Sequence, residues 1–218
     1  ELQANSSHVM MCAAFGKFGW AYRWCKKHDP RIWFLSDLTG EHLRNFTAHN
    51  RSFRAVNLVR DPIAMVISGY IMHLHSEDTP EELLAIRKMS TEEGLRAEAD
   101  FQLRYGIRSM LDAYQHAPAP QTLHARFESF AASPESYDAE TRRVYEHTMG
   151  DLLQVFYPAG LDEMVHLASD FDMTRKPHSM RGGLPQDAVD AQVSHLVQVM
   201  PQETLERLRA ARETLGYM

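Results

Sequence analysis

The chain has 218 residues, 44% of them hydrophobic, and a formal net charge of −6. That length suits one domain with a sizeable core, and the acidic balance excludes a generic nucleic-acid binder, which needs a basic face to neutralise phosphates. The two cysteines, Cys12 and Cys25, make neither a zinc framework nor a disulfide scaffold, the histidines show no metal-ligand spacing, and no apolar run is long enough to span a bilayer.

In chain order, residues 8–15 (HVMMCAAF) form an apolar run of strand length. Gly16-Lys17-Phe18-Gly19 and a helix-like stretch to about Lys27 follow it. Residues 31–38 (RIWFLSDL) are a second predicted strand, residues 41–49 a short helix, and residues 53–59 (FRAVNLV) a third strand ended by Asp61-Pro62. From Pro62 the period changes: Ile63, Val66, Ile67, Tyr70, Ile71 and Leu74 fall at helical spacing, with proline well placed in the first turn. Strand, helix, strand, helix in this order reads as a parallel sheet with helices on its faces.

Residues 79–117 read as helical and polar-faced. Two stretches there, TPEELL and STEEGL, look like N-caps followed by first-turn carboxylates. After Pro118 and Pro120, residues 123–130 (LHARFESF) are a further predicted strand. Residues 133–150 and 151–156 read as helical, 161–168 as mixed and 174–187 as loop, and a last helix covers about 201–215. There is no internal repeat and no low-complexity tract.

The sharpest chemical feature is VNLVRDPIAMVISGY, residues 56–70. A hydrophobic strand delivers Arg60 at its C-terminal end, where ligands of open parallel sheets bind. The guanidinium is a planar fork of donors suited to phosphate, and Ser68 adds a hydroxyl two turns into the next helix. The plainer alternative pairs Arg60 with Asp61 and leaves Ser68 as a small residue on a packed helix.

This segment resembles the 3′-phosphate-binding motif of the sulfotransferase family, in which a strand ends in Arg-Asp-Pro and a serine follows eight residues after the arginine. Residues 180–188 (MRGGLPQDA) resemble the family's late nucleotide-covering loop, M-R-K-G-x-x-G-D-W. Met180, Arg181, Gly183 and Asp187 match, whereas Gly182, Gln186 and Ala188 depart from it. Arg181 suits a phosphate, and Gly182-Gly183 lets backbone N–H groups approach an anion. In residues 123–130, Phe127 and Glu128 take the first two places of the family's aromatic-Glu-Asp triplet, whose aromatic lies near the adenine, and Ser129 stands where the triplet has its second acidic residue. The ending ETLGY, residues 213–217, resembles the tail of many carbohydrate-directed members.

The resemblance implies a three-layer α/β/α core with a central parallel sheet, P-loop-like, in a single sulfotransferase-like domain over residues 1–218. It implies transfer of a sulfuryl group from 3′-phosphoadenosine 5′-phosphosulfate to a hydroxyl or amine acceptor, a small molecule or glycan, with no metal. Arg60, Ser68, Phe127, Arg181, Gly182 and Gly183 are then the nucleotide-binding residues.

The family's 5′-phosphosulfate loop, P-K-S-G-T-T-W, has no clean copy here. Either GKFGW, residues 16–20, is a degenerate version that supplies Lys17, or the loop lies upstream of Glu1 and the chain is a fragment. An upstream anchor would place the protein in the Golgi lumen rather than the cytoplasm. For the base that takes the acceptor's proton, Asp37 and His42 lead, with His73 and His75 in neighbouring segments. Two other readings stay open. One is a non-catalytic sulfotransferase-like binding or scaffold domain. The other is a different P-loop enzyme, although G-x-x-x-x-G-K-[ST] is absent.

Overall fold

The computed structural model describes residues 39–49, 53–156, 158–172, 174–175 and 186–217. The strands predicted at 8–15 and 31–38, the helix between them and residues 176–185 lie outside the described residues. What is described is a mostly helical α/β arrangement around a two-stranded parallel sheet.

Helix α1 spans Gly40–His49, in the place expected. Strand β1 is Ala55–Val59. Helix α2, Pro62–His75, begins where the sequence places it, for a local reason: the Asp61 Oδ1 accepts the N–H of Ile63 at 2.8 Å and of Ala64 at 3.4 Å, and Pro62 opens the first turn. The predicted helix over 79–117 divides into a 3₁₀ helix, Glu81–Lys88, then α3, Thr91–Arg104, and α4, Gly106–His116. Ser90 caps α3 with a reciprocal capping box to Glu93. Thr79 does not cap the 3₁₀ helix. Its hydroxyl donates backwards to the carbonyls of His73 and Ser76, closing the end of α2.

Strand β2 is Thr122–Arg126, and it pairs parallel to β1 in the register Ala55↔Thr122 to Val59↔Arg126. The strand predicted to reach residue 130 is therefore shorter. β1 ends at Val59, so β2 has no partner beyond Arg126, and the chain turns into helix α5, Phe127–Ala131. Helix α6, Pro134–Phe156, unites two stretches the sequence suggested separately, and α7 spans Gly160–Ala168. A 3₁₀ turn, Ser169–Phe171, follows. Helix α8, Gln186–Val199, has no counterpart in the sequence reading, and α9, Gln202–Thr214, closes the described chain.

The core lies where α2, α3, α4, α8 and α9 meet. Val66, Ile67 and Tyr70 of α2 face Leu95 and Ala99 of α3, with Leu208 and Ala211 on α9, all at three- or four-residue spacings. Each large side chain fully buried in this way stabilises the fold by about 1.5–3 kcal/mol. α6 is fastened to the sheet by polar contacts. The Nε2 of His147 lies 3.0 Å from the carbonyls of both Ala55 and Gln121, and Arg143 donates to the carbonyl of His124 at 2.9 Å.

One ionisable pair is sealed between α2 and α3. His73 Nδ1 is 2.8 Å from Glu98 Oε2, with side chains 5% and 0% exposed, and Gln102 donates to Glu98 Oε1 at 2.7 Å. Gly69 lies directly against that carboxylate: a Cβ there would sit 2.2 Å from Oε1. Helix α2 therefore reaches the core closely only because position 69 has no side chain.

Candidate functional site

The strand–helix junction at Arg60-Asp61-Pro62 gathers three of the four segments singled out in the sequence. Arg60 leaves the tip of β1 with its backbone N–H on Met110 Sδ at 3.3 Å. Its guanidinium lies over the ring of Phe127, 4.6 Å from the centroid, and its Nη1 is 3.5 Å from Ser68 Oγ, the outer limit of a hydrogen bond. Arg60 and Ser68 thus share one small volume. Phe127 is there too, as the first residue of α5 rather than the end of a strand, with one face covered by the guanidinium.

Arg60 does not pair with Asp61. Asp61 caps α2 through Oδ1, and its Oδ2 lies 2.9 Å from Arg212 Nε on α9, an ion pair whose N–H is not aimed at the carboxylate. The other carboxylate nearby, Glu128, is also engaged. Its Oε1 accepts the Asp61 N–H at 2.9 Å and its Oε2 accepts the Tyr217 hydroxyl at 2.7 Å. Arg126 stacks on the Tyr217 ring, 4.6 Å from its centroid, and donates to the Gly216 carbonyl at 2.8 Å. Gly216 has φ of +72°, a left-handed turn that glycine adopts without strain.

The electrostatics follow from this geometry. Burial pulls the Arg60 pKa below its ordinary value, and the charges of Glu128 and Asp61 oppose that pull. The guanidinium stays charged, as arginine does. Burial, then the hydrogen bond and charge of Glu128, push the Tyr217 phenol well above its ordinary value, so it is the donor to Glu128 at neutral pH. Arg60 Nε is buried and has no hydrogen-bond partner among the described residues, and Arg60 makes no ion pair among them. A half-buried guanidinium with an orphaned donor, a hydroxyl in reach and neighbouring carboxylates held elsewhere suits an anionic oxygen ligand.

Compared with known proteins, the chain matches no family model, no curated protein and no solved structure. The reading of the site therefore rests on the residues themselves.

The remaining expected residues fall elsewhere. Lys17, Asp37, Arg181, Gly182 and Gly183 lie outside the described residues. His42 is exposed in the first turn of α1, where its Nδ1 lies 3.2 Å from the Thr39 backbone nitrogen and 3.1 Å from its hydroxyl. These are local capping contacts, and none of them ties His42 to Arg60. His73 is a core residue held by Glu98, which removes it as a solvent-facing base. Among the described residues there is no cluster that could hold a metal ion, and no helix is long and apolar enough to cross a membrane.

Sequence reasoning missed Arg126 and Arg212 and gave Glu128 and Tyr217 no role beyond their place in a motif. Their signal was thin: a glutamate directly after the aromatic, and a Gly-Tyr pair after the last helix. Arg212 and Tyr217 also line an open depression of about 380 Å³ with Arg209, Glu213 and Gly216, but Arg60, Ser68 and Phe127 are not part of its lining.

Proposed function

We propose that the chain is the nucleotide-binding core of a sulfotransferase that uses 3′-phosphoadenosine 5′-phosphosulfate. The observation that carries this reading is the Arg60 guanidinium, laid on Phe127 within 3.5 Å of Ser68 Oγ and without a carboxylate partner among the described residues. In this reading Arg60 and Ser68 hold the 3′-phosphate, and Phe127 sets the plane in which the guanidinium presents its donors. The family resemblance assigns Arg181 with Gly182-Gly183 to covering the nucleotide and Lys17 to its 5′ side. The donor supplies the sulfuryl group, and the chain contributes positioning and fixed positive charge. Asp37 and His42 are the candidates for accepting the acceptor's proton. The parallel β1–β2 pair, with α4 and α6 packed against it, supports the three-layer α/β/α arrangement that goes with this proposal. A glycan is the first choice of acceptor, from the Arg-Asp-Pro and Leu-Gly-Tyr forms.

A second reading, a module that binds the nucleotide without transferring sulfate, is favoured by Gly182, which stands where the family's loop has lysine. The two differ in outcome. Both bind adenosine 3′,5′-bisphosphate, and only the first consumes labelled donor in the presence of acceptors.

Calorimetric titration of the full chain with adenosine 3′,5′-bisphosphate tests the shared core. Arg60→Ala is expected to weaken binding by about 1.5–3 kcal/mol, the range for hydrogen bonds to a charged group. An unchanged dissociation constant in that variant removes Arg60 from the site. Binding of ATP with magnesium in place of the bisphosphate would move the chain to another class of P-loop enzyme.

A further inference from the structure

We propose that Tyr217 is a positioning residue: by holding the Glu128 carboxylate it keeps the Arg60 guanidinium available to an external anion. Glu128 is the carboxylate placed to compete for Arg60. It follows Phe127, on whose ring the guanidinium lies, and it is bonded to the backbone N–H of Asp61, one residue from Arg60. Arginine–carboxylate pairs are frequently bidentate, and the Glu128 charge already acts on Arg60. Both of its oxygens are instead held: Oε1 by the Asp61 N–H at 2.9 Å and Oε2 by the Tyr217 hydroxyl at 2.7 Å. Tyr217 is itself held by Arg126, which stacks on its ring and grips the preceding carbonyl, Gly216. Asp61, the second carboxylate nearby, is committed to the α2 cap and to Arg212. The end of α9 thus restrains the charge that would otherwise close the site from within.

This inference rests on reading Arg60 as an anion-binding residue, and the two can fail separately. The test uses the full chain labelled with ¹⁵N, following the arginine side-chain Nε–Hε resonance of Arg60, assigned by its loss in Arg60→Lys. Thermal melts confirm that each variant is folded. Tyr217→Phe removes only the hydroxyl. The Arg60 resonance is expected to shift and to exchange more slowly with water as Glu128 turns onto it, and adenosine 3′,5′-bisphosphate binding is expected to weaken about tenfold, the scale of one hydrogen bond to a charged group. Adding Glu128→Gln to Tyr217→Phe is expected to return the resonance toward its wild-type position and to recover affinity. Glu128→Gln alone should tighten binding, because a negative charge leaves the anion's neighbourhood.

A mere strut differs at Glu128: Glu128→Gln alone then weakens binding and the double change weakens it further. An Arg60 resonance that does not move in Tyr217→Phe, or a double variant no better than Tyr217→Phe, overturns the proposal. If the wild type fails to bind the bisphosphate but its Arg60 resonance responds as described, the nucleotide reading falls and the restraint on Glu128 stands.

Discussion

Replacing Gly69 by alanine sets two effects of opposite sign against each other, and the structure says which wins. Gly69 lies inside α2, where alanine is favoured over glycine by about 1 kcal/mol on helix propensity alone. Propensity therefore predicts a more stable protein. The added Cβ, however, would lie 2.2 Å from Glu98 Oε1, 2.9 Å from Glu98 Cδ and 3.1 Å from Gln102 Nε2. Glu98 cannot step aside at little cost, because it is 0% exposed and pinned by His73 at 2.8 Å and Gln102 at 2.7 Å. Overpacking a filled core costs about 1–3 kcal/mol, and a 2.2 Å approach to a pinned carboxylate belongs at the upper end of that range. Gly69→Ala is therefore destabilising, by about 2 kcal/mol once the propensity gain is deducted.

Urea denaturation reads this directly: with a slope near 2 kcal/mol/M, the midpoint should fall by about 1 M at unchanged slope. A double-mutant cycle isolates the cause. In a Glu98→Ala background the obstacle is gone, and Gly69→Ala should become neutral or stabilising by up to about 1 kcal/mol. A Gly69→Ala variant more stable than the parent chain would refute the close approach of α2 to the Glu98 carboxylate.

His124, whose Nδ1 lies 3.2 Å from Asn57 Nδ2 and whose ring is 4.4 Å from the Tyr114 centroid, has its pKa lowered below the ordinary 6.5 by burial. The unfolded chain then takes up the proton first, so the stability associated with this group is complete above about pH 6.5 and is lost as pH falls through the folded value. His124→Gln should flatten the decline in urea midpoint between neutral and mildly acidic pH, and an identical decline in both proteins would reject the assignment. His147→Ala removes the N–H that bridges the Ala55 and Gln121 carbonyls and is expected to cost about 1–2 kcal/mol of stability. It should leave bisphosphate affinity as it was, because the bridge lies at the opposite end of β1 from Arg60; titration of the folded variant checks this.

The elements that were legible in the sequence are those with local causes. Asp61-Pro62 both stops β1 and caps α2, and Ser90 with Glu93 forms a capping box within four residues. Arg60 and Ser68 are paired through the family resemblance, and the eight-residue offset from strand tip to helix is short enough for the two to lie together. The length of β2 was not legible, because it is set by where its partner β1 ends. Thr79 reads as a cap for the residues after it, yet its hydroxyl turns back to α2, and nothing in its own neighbourhood decides between the two directions. The contact of Glu128 with Tyr217 joins residues 89 apart, and such a pair leaves no periodic trace. His73 did carry a signal: it continues the buried stripe of Val66 and Tyr70 at helical spacing, which marks a core position rather than a proton acceptor facing solvent.

The stacking of Arg60 on Phe127 has a consequence for how the site meets a ligand. A long cationic side chain normally surrenders rotamer freedom when it engages an anion, and that loss subtracts from affinity. Here the aromatic plate orders the side chain when the protein folds, so the loss has already been incurred before any encounter. Substituting Phe127 with leucine would leave the charge in place but return that disorder to the unliganded state, and the change should register in the entropy of binding more than in its enthalpy.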